Sequence, residues 1–191
     1  MALIPSTIRR LYADRLNQID QFRKNPLEIQ QKVLSDILVT AAPTELGRLY
    51  GFQSVRSAAD FQSRVPVKSY DDYLPLIERL LSGEKDLIWP GSVKWFAKSS
   101  GTTSGKSKFI PVTGDSLQKC HYQAARDILA IYCSNYPSTR MFNGKALTLG
   151  GSTRINQAGN NSVYGDLSAV LLSNTPFYIE LIRTPKRKIA L

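Results

Sequence analysis

Ten consecutive residues, Ser99 to Lys108, carry the side chains best suited to chemistry: Ser-Ser-Gly-Thr-Thr-Ser-Gly-Lys-Ser-Lys. Six hydroxyls, two glycines and two lysines share this stretch. That mixture suits a polyphosphate. Glycine lets the backbone come close, backbone N–H groups and hydroxyls donate hydrogen bonds, and lysine neutralises charge. The same mixture also suits a flexible surface linker.

Flanking segments must hold such a loop at both ends. Before it, Pro90-Gly91 marks a turn, and Val93, Trp95 and Ala97 then alternate with Lys94, Phe96 and Lys98 as in a strand. After it, Phe109-Ile-Pro-Val-Thr113 reads as extended, with Pro111 opposing a helix. Helical spacing next predicts a helix from about Asp115 to Tyr132, with Leu117, Cys120, Ala124, Ile128 and Ile131 on its apolar stripe. Ala146–Leu149 reads as another strand, closed by Gly150-Gly151 and a polar loop through Asn161. Leu167–Leu172 is a short apolar run of helical character.

Two helices are expected ahead of this region. Ile8, Leu11, Tyr12, Leu16, Ile19 and Phe22 follow helical spacing, and Ile29, Val33, Leu34, Ile37, Leu38 and Ala41 form a second stripe. Asn25 is placed to cap the second helix, with Pro26 at its first position and Pro43 ending it. Ser57 with Asp60 and Ser69 with Asp72 have capping-box spacing, each opening a short helix. The latter helix stops at Gly83, and Pro75 leaves open whether it is continuous or restarts. Helices and strands alternate, so the fold class is α/β.

Other reactive residues read as structural. Asp71 and Asp72 suit a helix N-terminus, and Glu78 suits a solvent face, so no acid/base cluster is inferred there. Cys120 and Cys133 are the only cysteines, too few for a zinc cluster, and are expected as buried or half-buried thiols. His121 has no second histidine to pair with and reads as a packed residue. Arg126 could meet a substrate carboxylate but projects away from its helix's apolar stripe, as a solvated arginine does.

The chain has 191 residues and a formal charge of +10, which raises nucleic acid as a partner. The excess is spread, however, from Arg9, Arg10, Arg15, Arg23 and Lys24 to the cluster Arg183, Lys186, Arg187 and Lys188. Aromatics do not interleave with it as a stacking platform requires. A non-catalytic basic binding module using Arg183–Lys188 therefore stays as the second reading. No segment has the apolar length needed to span a bilayer, and the start lacks a signal peptide's apolar core, so a cytoplasmic location is expected.

The loop nearly matches the common nucleotide motif Gly-x-x-x-x-Gly-Lys-[Ser/Thr], through Gly105-Lys106-Ser107. Gly101 is one position too close, and the required position holds Ser100. That motif also opens a helix, whereas Phe109-Ile-Pro-Val follows here. A P-loop phosphotransferase is kept as a minor alternative that requires a helix starting at Lys106 or Ser107.

The loop does resemble the phosphate loop of the adenylate-forming superfamily, which includes the acyl-CoA synthetases and luciferases. It is most similar to the form in the auxin-responsive Gretchen Hagen family of acyl-acid amido synthetases. The likeness extends through Val65–Asp72, Leu76–Glu84, Phe109–Thr113, Gly144–Leu147, Gly165–Ser168 and Asn174–Pro176, in the family's order, and covers roughly residues 30 to 191. It implies the N-terminal part of the large ATP-binding domain of an adenylate-forming enzyme, preceded by two helices. The expected division is a helical segment over residues 1–42 and an incomplete α/β portion over 43–191.

The resemblance further implies ATP-dependent activation of a carboxylic acid as an acyl-adenylate, followed by amide formation with an amino acid. Ser99, Ser100, Thr102, Thr103 and Ser104 would donate through hydroxyls or backbone N–H, Gly101 and Gly105 would permit close approach, and Lys106 and Lys108 would balance charge. ATP and Mg2+ are the implied cofactors, the magnesium ligand being expected outside this chain. Family members are much longer, so the chain is expected to be an N-terminal fragment that binds ATP weakly and is inactive alone. An apolar face left exposed by truncation would promote self-association.

Overall fold

A computed structural model of the chain describes residues 7–8, 10–99, 107–148, 156–158 and 162–186. These fall into two compact units, one drawn from Gln30–Thr113 and Gly150–Asn174, the other from Met1–Ile29, Gly114–Leu149 and Thr175–Ala190.

The chain enters through α1 (Ala13–Lys24) and α2 (Pro26–Ala41). Pro26 opens α2, where its fixed φ suits the first turn and its missing N–H costs no hydrogen bond. Asn25 instead turns its side-chain amide back to Gln21 Oε1, at 2.9 Å. On the expected α2 stripe only Leu38 and Ala41 are buried, while Val33 and Ile37 stay about half exposed. Leu38 and Ala41 form a cluster with Ala42, Phe52 and Val55, against which Phe61 and Val65 pack.

Thr44 caps the short helix α3 (Glu45–Leu49), its Oγ1 accepting from Gly47 N–H at 3.0 Å. Helices α4 (Ala58–Arg64) and α5 (Tyr70–Leu81) each begin with a complete capping box, Ser57 with Asp60 and Ser69 with Asp72. Helix α5 is continuous through Pro75, which therefore gives up one intrahelical bond. Its end is closed by paired bonds, Gly83 N–H to Leu80 C=O and Glu84 N–H to Arg79 C=O. Gly83 supplies the required positive φ of 96°.

The sheet of the larger unit has the order β2-β1-β5-β4, from β1 (Trp95–Ser99), β2 (Lys108–Val112), β4 (Asn156–Ala158) and β5 (Ser162–Gly165). Strand β1 pairs antiparallel with β2 and parallel with β5, and β4 pairs antiparallel with β5. Strand β4 lies within the stretch expected as a polar loop. Leu80 of α5 packs with Leu87, Val93 and Phe96, and Phe109 and Tyr164 close around them. Helix α7 (Leu167–Ser173) packs on β1 and β5 with Ala169 and Val170 fully buried.

In the smaller unit, a π-helical turn over Ser116–His121 leads into α6 (Tyr122–Asn135). Helix α8 (Phe177–Ile182) runs into β6 (Arg183–Thr184), which pairs in parallel with β3 (Ala146–Leu147). The π turn overturns the expected stripe. An extra residue in one turn rotates all that follows relative to Leu117. Leu117, Ala130 and Cys133 are buried, while Cys120, Ala124, Ile128 and Ile131 face outward. The expectation for Cys120 is thus corrected: its thiol is exposed, while that of Cys133 is buried.

Among the described residues, no helix is long and apolar enough to cross a membrane.

Candidate functional site

Two paired strands flank the Ser/Thr/Gly stretch; in β1 the adjacent Phe96 and Ala97 are both buried, which departs from the strict alternation expected there. Ser99 ends β1, Lys108 begins β2, and the register pairs them directly, followed by Lys98 with Phe109 and Ala97 with Ile110. The two ends of the loop are therefore held side by side as neighbours in an antiparallel ladder. Ser100, Gly101, Thr102, Thr103, Ser104, Gly105 and Lys106 lie outside the described residues.

A strand starting at Lys108 corrects the minor alternative. A P-loop needs a helix at this point, whose N–H groups and dipole receive the phosphates. Residues Lys108–Val112 are extended and hydrogen-bonded to β1, so no such helix exists.

Each foot of the loop carries a cation over a tyrosine ring. Lys108 Nζ lies 5.3 Å from the ring centre of Tyr70, and Lys98 Nζ lies 6.0 Å from that of Tyr164. Rings attract ammonium groups through their negative faces and restrict a flexible lysine stem to a smaller volume. Tyr164 also meets Phe109 edge-on at 5.0 Å between ring centres. Tyr70 binds the backbone of β2 directly: its Oη accepts from Phe109 N–H at 2.8 Å and donates to Phe109 C=O at 3.4 Å.

Chemically, the paired strand ends that bound the hydroxyl-rich stretch offer two positive charges and a hydroxyl, from Lys98, Lys108 and Ser99. Lys98, Tyr70 and Tyr164 were not among the residues singled out from sequence. Tyr70 carried a faint signal, as the first helical residue after the Ser69 cap, but its partner is 39 residues away. Lys98 reads in the sequence as one of the polar residues of an expected alternating strand, with nothing to mark it as part of a site.

The remaining candidates have structural surroundings. Asp72 accepts from Ser69 N–H at 2.7 Å, and bonding to the Ser69 hydroxyl and amide holds its carboxyl below the usual carboxylate range. Glu78 is exposed and His121 is half-buried. Arg126 donates to Gln118 C=O and Gln123 Oε1, at 3.2 and 3.0 Å. Burial pushes the Cys133 thiol above its ordinary pKa, which opposes thiolate chemistry. Among the described residues, no three His, Cys, Asp or Glu side chains come together in a way that could hold a metal ion.

The described part of the basic cluster is engaged with its own chain. Arg183 is 2% exposed and pairs with Glu180 at 2.5 Å. Lys186 Nζ donates to the carbonyls of Glu180 and Leu181 at the end of α8. Such cations suit the negative end of a helix.

Comparison with known proteins bears on the same region. Residues 15–190 match the model of the GH3 family N-terminal domain. The indole-3-acetic acid-amido synthetase GH3.8 of Oryza sativa subsp. indica is 35% identical over 107 residues, which cover 56% of this chain and 18% of that protein. The jasmonoyl–L-amino acid synthetase JAR6 of Nicotiana attenuata is 30% identical over 133 residues, or 69% of this chain and 22% of that protein. The solved structure of the GH3.15 acyl acid amido synthetase superposes with a TM-score of 0.72 at 24% identity, covering 92% of this chain and 30% of that one. This last likeness shows the mixed α/β fold of the N-terminal part of such structures. The chain thus spans about a fifth of the curated relatives it matches.

Proposed function

We propose, from the premise that this chain belongs to the GH3 (Gretchen Hagen) family, that its Ser99–Lys108 hairpin receives the phosphates of ATP. The reaction served is activation of a carboxylic acid as an acyl-adenylate, with later transfer of the acyl group to an amino acid's amine. The observation that carries this reading is the direct pairing of Ser99 with Lys108. It closes a hydroxyl- and glycine-rich loop between two strands and sets cations at its base.

In such a reaction the acid's carboxylate oxygen attacks the α-phosphorus, and the bond from that phosphorus to the pyrophosphate oxygen breaks. Negative charge grows on the leaving pyrophosphate as it departs. Donors aimed at those oxygens stabilise the transition state more than the ground state, because the charge they meet is larger there. Each charge-assisted hydrogen bond is worth about 1.5–3 kcal/mol. Ser99, Ser100, Thr102, Thr103 and Ser104 supply hydroxyl or backbone donors in this reading, and Lys106 and Lys108 supply charge. Gly101 and Gly105 let the backbone approach the phosphates. Magnesium finds no ligand set of three or more His, Cys, Asp or Glu side chains among the described residues.

The test is titration of the isotopically labelled chain with ATP and with pyrophosphate, followed by nuclear magnetic resonance. Shifts at Ser99, Ser107 and Lys108, lost in a Lys106→Gln/Lys108→Gln double variant, are the expected result. Saturation that leaves these residues unmoved would overturn the assignment. Pyrophosphate–ATP exchange by the chain is expected to be undetectable, because the proposed contribution is phosphate binding alone.

A further inference from the structure

We infer that Tyr70 is a positioning residue for the phosphate hairpin, holding the Lys108 ammonium at the foot of the loop through its ring. This rests on the phosphate reading of Ser99–Lys108 and adds a residue from outside the loop.

Tyr70 is anchored independently of the hairpin. It is the first residue of α5, whose start is fixed by the reciprocal bonds of Ser69 and Asp72. Further along the same helix, Ile77 and Leu80 are buried. The ring is therefore presented by a rigid element, while the lysine it meets sits on a four-carbon stem with many rotamers.

Two neighbouring residues of β2 are engaged at once. The Tyr70 hydroxyl bridges the N–H and C=O of Phe109, fixing the backbone of the strand. Its ring faces Lys108 Nζ at 5.3 Å, fixing the preceding side chain. An edge strand needs its outward N–H and C=O satisfied, and the hydroxyl alone would do that. The ring contact is additional, and it acts on a residue that directly adjoins the loop. A cation already confined near its bound position loses less entropy when a polyanion arrives. The ring does not touch the nucleotide in this account; it acts only through Lys108.

The experiment compares Tyr70→Phe with Tyr70→Leu in the full chain, using inorganic tripolyphosphate as the probe. Both variants lose the hydroxyl, so their difference reports the ring. In wild type and in Tyr70→Phe, the Lys108 side-chain methylene protons should show a ring-current shift, and tripolyphosphate affinities should agree within about twofold. In Tyr70→Leu the shift should vanish and affinity should fall by about two- to fivefold relative to Tyr70→Phe. Equal affinities in the two variants, with wild type binding, would overturn the role of Tyr70 alone. A wild-type chain that shows the shift but does not bind tripolyphosphate overturns the phosphate reading and the role with it. Should Tyr70→Leu fail to fold, the wild-type shift and the Lys108→Gln variant decide. No shift in wild type, or unchanged affinity on removing the Lys108 charge, overturns the inference.

Discussion

The Tyr70 hydroxyl stands 2.8 Å from the amide nitrogen of Phe109, a residue 39 positions further along the chain. It occupies the place that a fifth strand would take beside β2, which is the edge of its sheet among the described strands. One O–H and its lone pairs can serve both backbone groups, because a hydroxyl donates once and accepts twice. Removing it leaves a half-buried N–H without its partner. Tyr70→Phe is therefore expected to lower stability by about 1 kcal/mol, read as a lower urea midpoint with an unchanged slope. Faster amide exchange at Phe109 than at Ile110 should accompany it.

Gly47 marks a close approach of α3 to the end of α2. A Cβ built there would meet the carbonyl oxygens of Ala41 and Ala42 at 2.1 and 2.8 Å, and both obstacles are backbone. They can yield only if the turn between the helices opens. That turn is also tied by Thr44, fully buried, whose hydroxyl donates to Ala41 C=O at 2.7 Å and accepts from Gly47 N–H. Gly47→Ala should thus cost about 3 kcal/mol or more, whereas Gly114→Ala, with open space around its Cβ, should fall within about 0.5 kcal/mol of wild type. Paired thermal denaturation curves check the contrast.

Local rules account for what is legible in the sequence. The starts of α4 and α5 follow from Ser57, Asp60, Ser69 and Asp72, because a capping box satisfies its own N–H groups within four residues. The strand after the loop follows from Pro111 and the extended neighbours. Nonlocal partners account for what was missed. The engagement of Tyr70 with Phe109 spans 39 residues and has no periodic signature. The burial of Arg183 depends on pairing with Glu180 and on the register of β6 with β3, so its sequence setting among lysines pointed the wrong way. The π turn at Ser116–His121 rotated a stripe whose period was otherwise helical, and nothing in Ser-Leu-Gln-Lys-Cys-His signals an extra residue.

Within the smaller unit, Arg15 grips Asp127 with two bonds, Nε to Oδ1 at 2.9 Å and Nη2 to Oδ2 at 2.8 Å. Hydrogen bonding to Arg15 holds the Asp127 carboxyl below its ordinary range. The folded pKa is thus lower than the unfolded value of about 3.9. The pair therefore stabilises fully above that value, and its contribution is lost as pH falls through the folded pKa. Asp127→Asn is expected to cost about 1 kcal/mol at pH 7, the upper end for a partly exposed ion pair. The difference from wild type should shrink as pH falls through the folded pKa, in urea melts run from neutral into acid.

Helix α6 displays an apolar row that the π turn has rotated outward. Ile128 is 67% exposed and Tyr136 58%, with Ile131 and Tyr132 between them at 39% each. Tyr132 and Tyr136, the latter just past the end of α6, meet at 4.9 Å between ring centres with their planes tilted by 38°, which joins these two side chains into one apolar surface. Contiguous apolar surface of this kind is driven to leave water, and a second copy offers the same row. Light scattering should accordingly show a mass that rises with concentration, and Ile128→Glu should suppress the rise without lowering the melting temperature by more than a degree or two. The charge enters at an exposed position, so the folded chain has little reason to object. A mass that stays monomeric at every concentration would show that the row is tolerated in water as it stands.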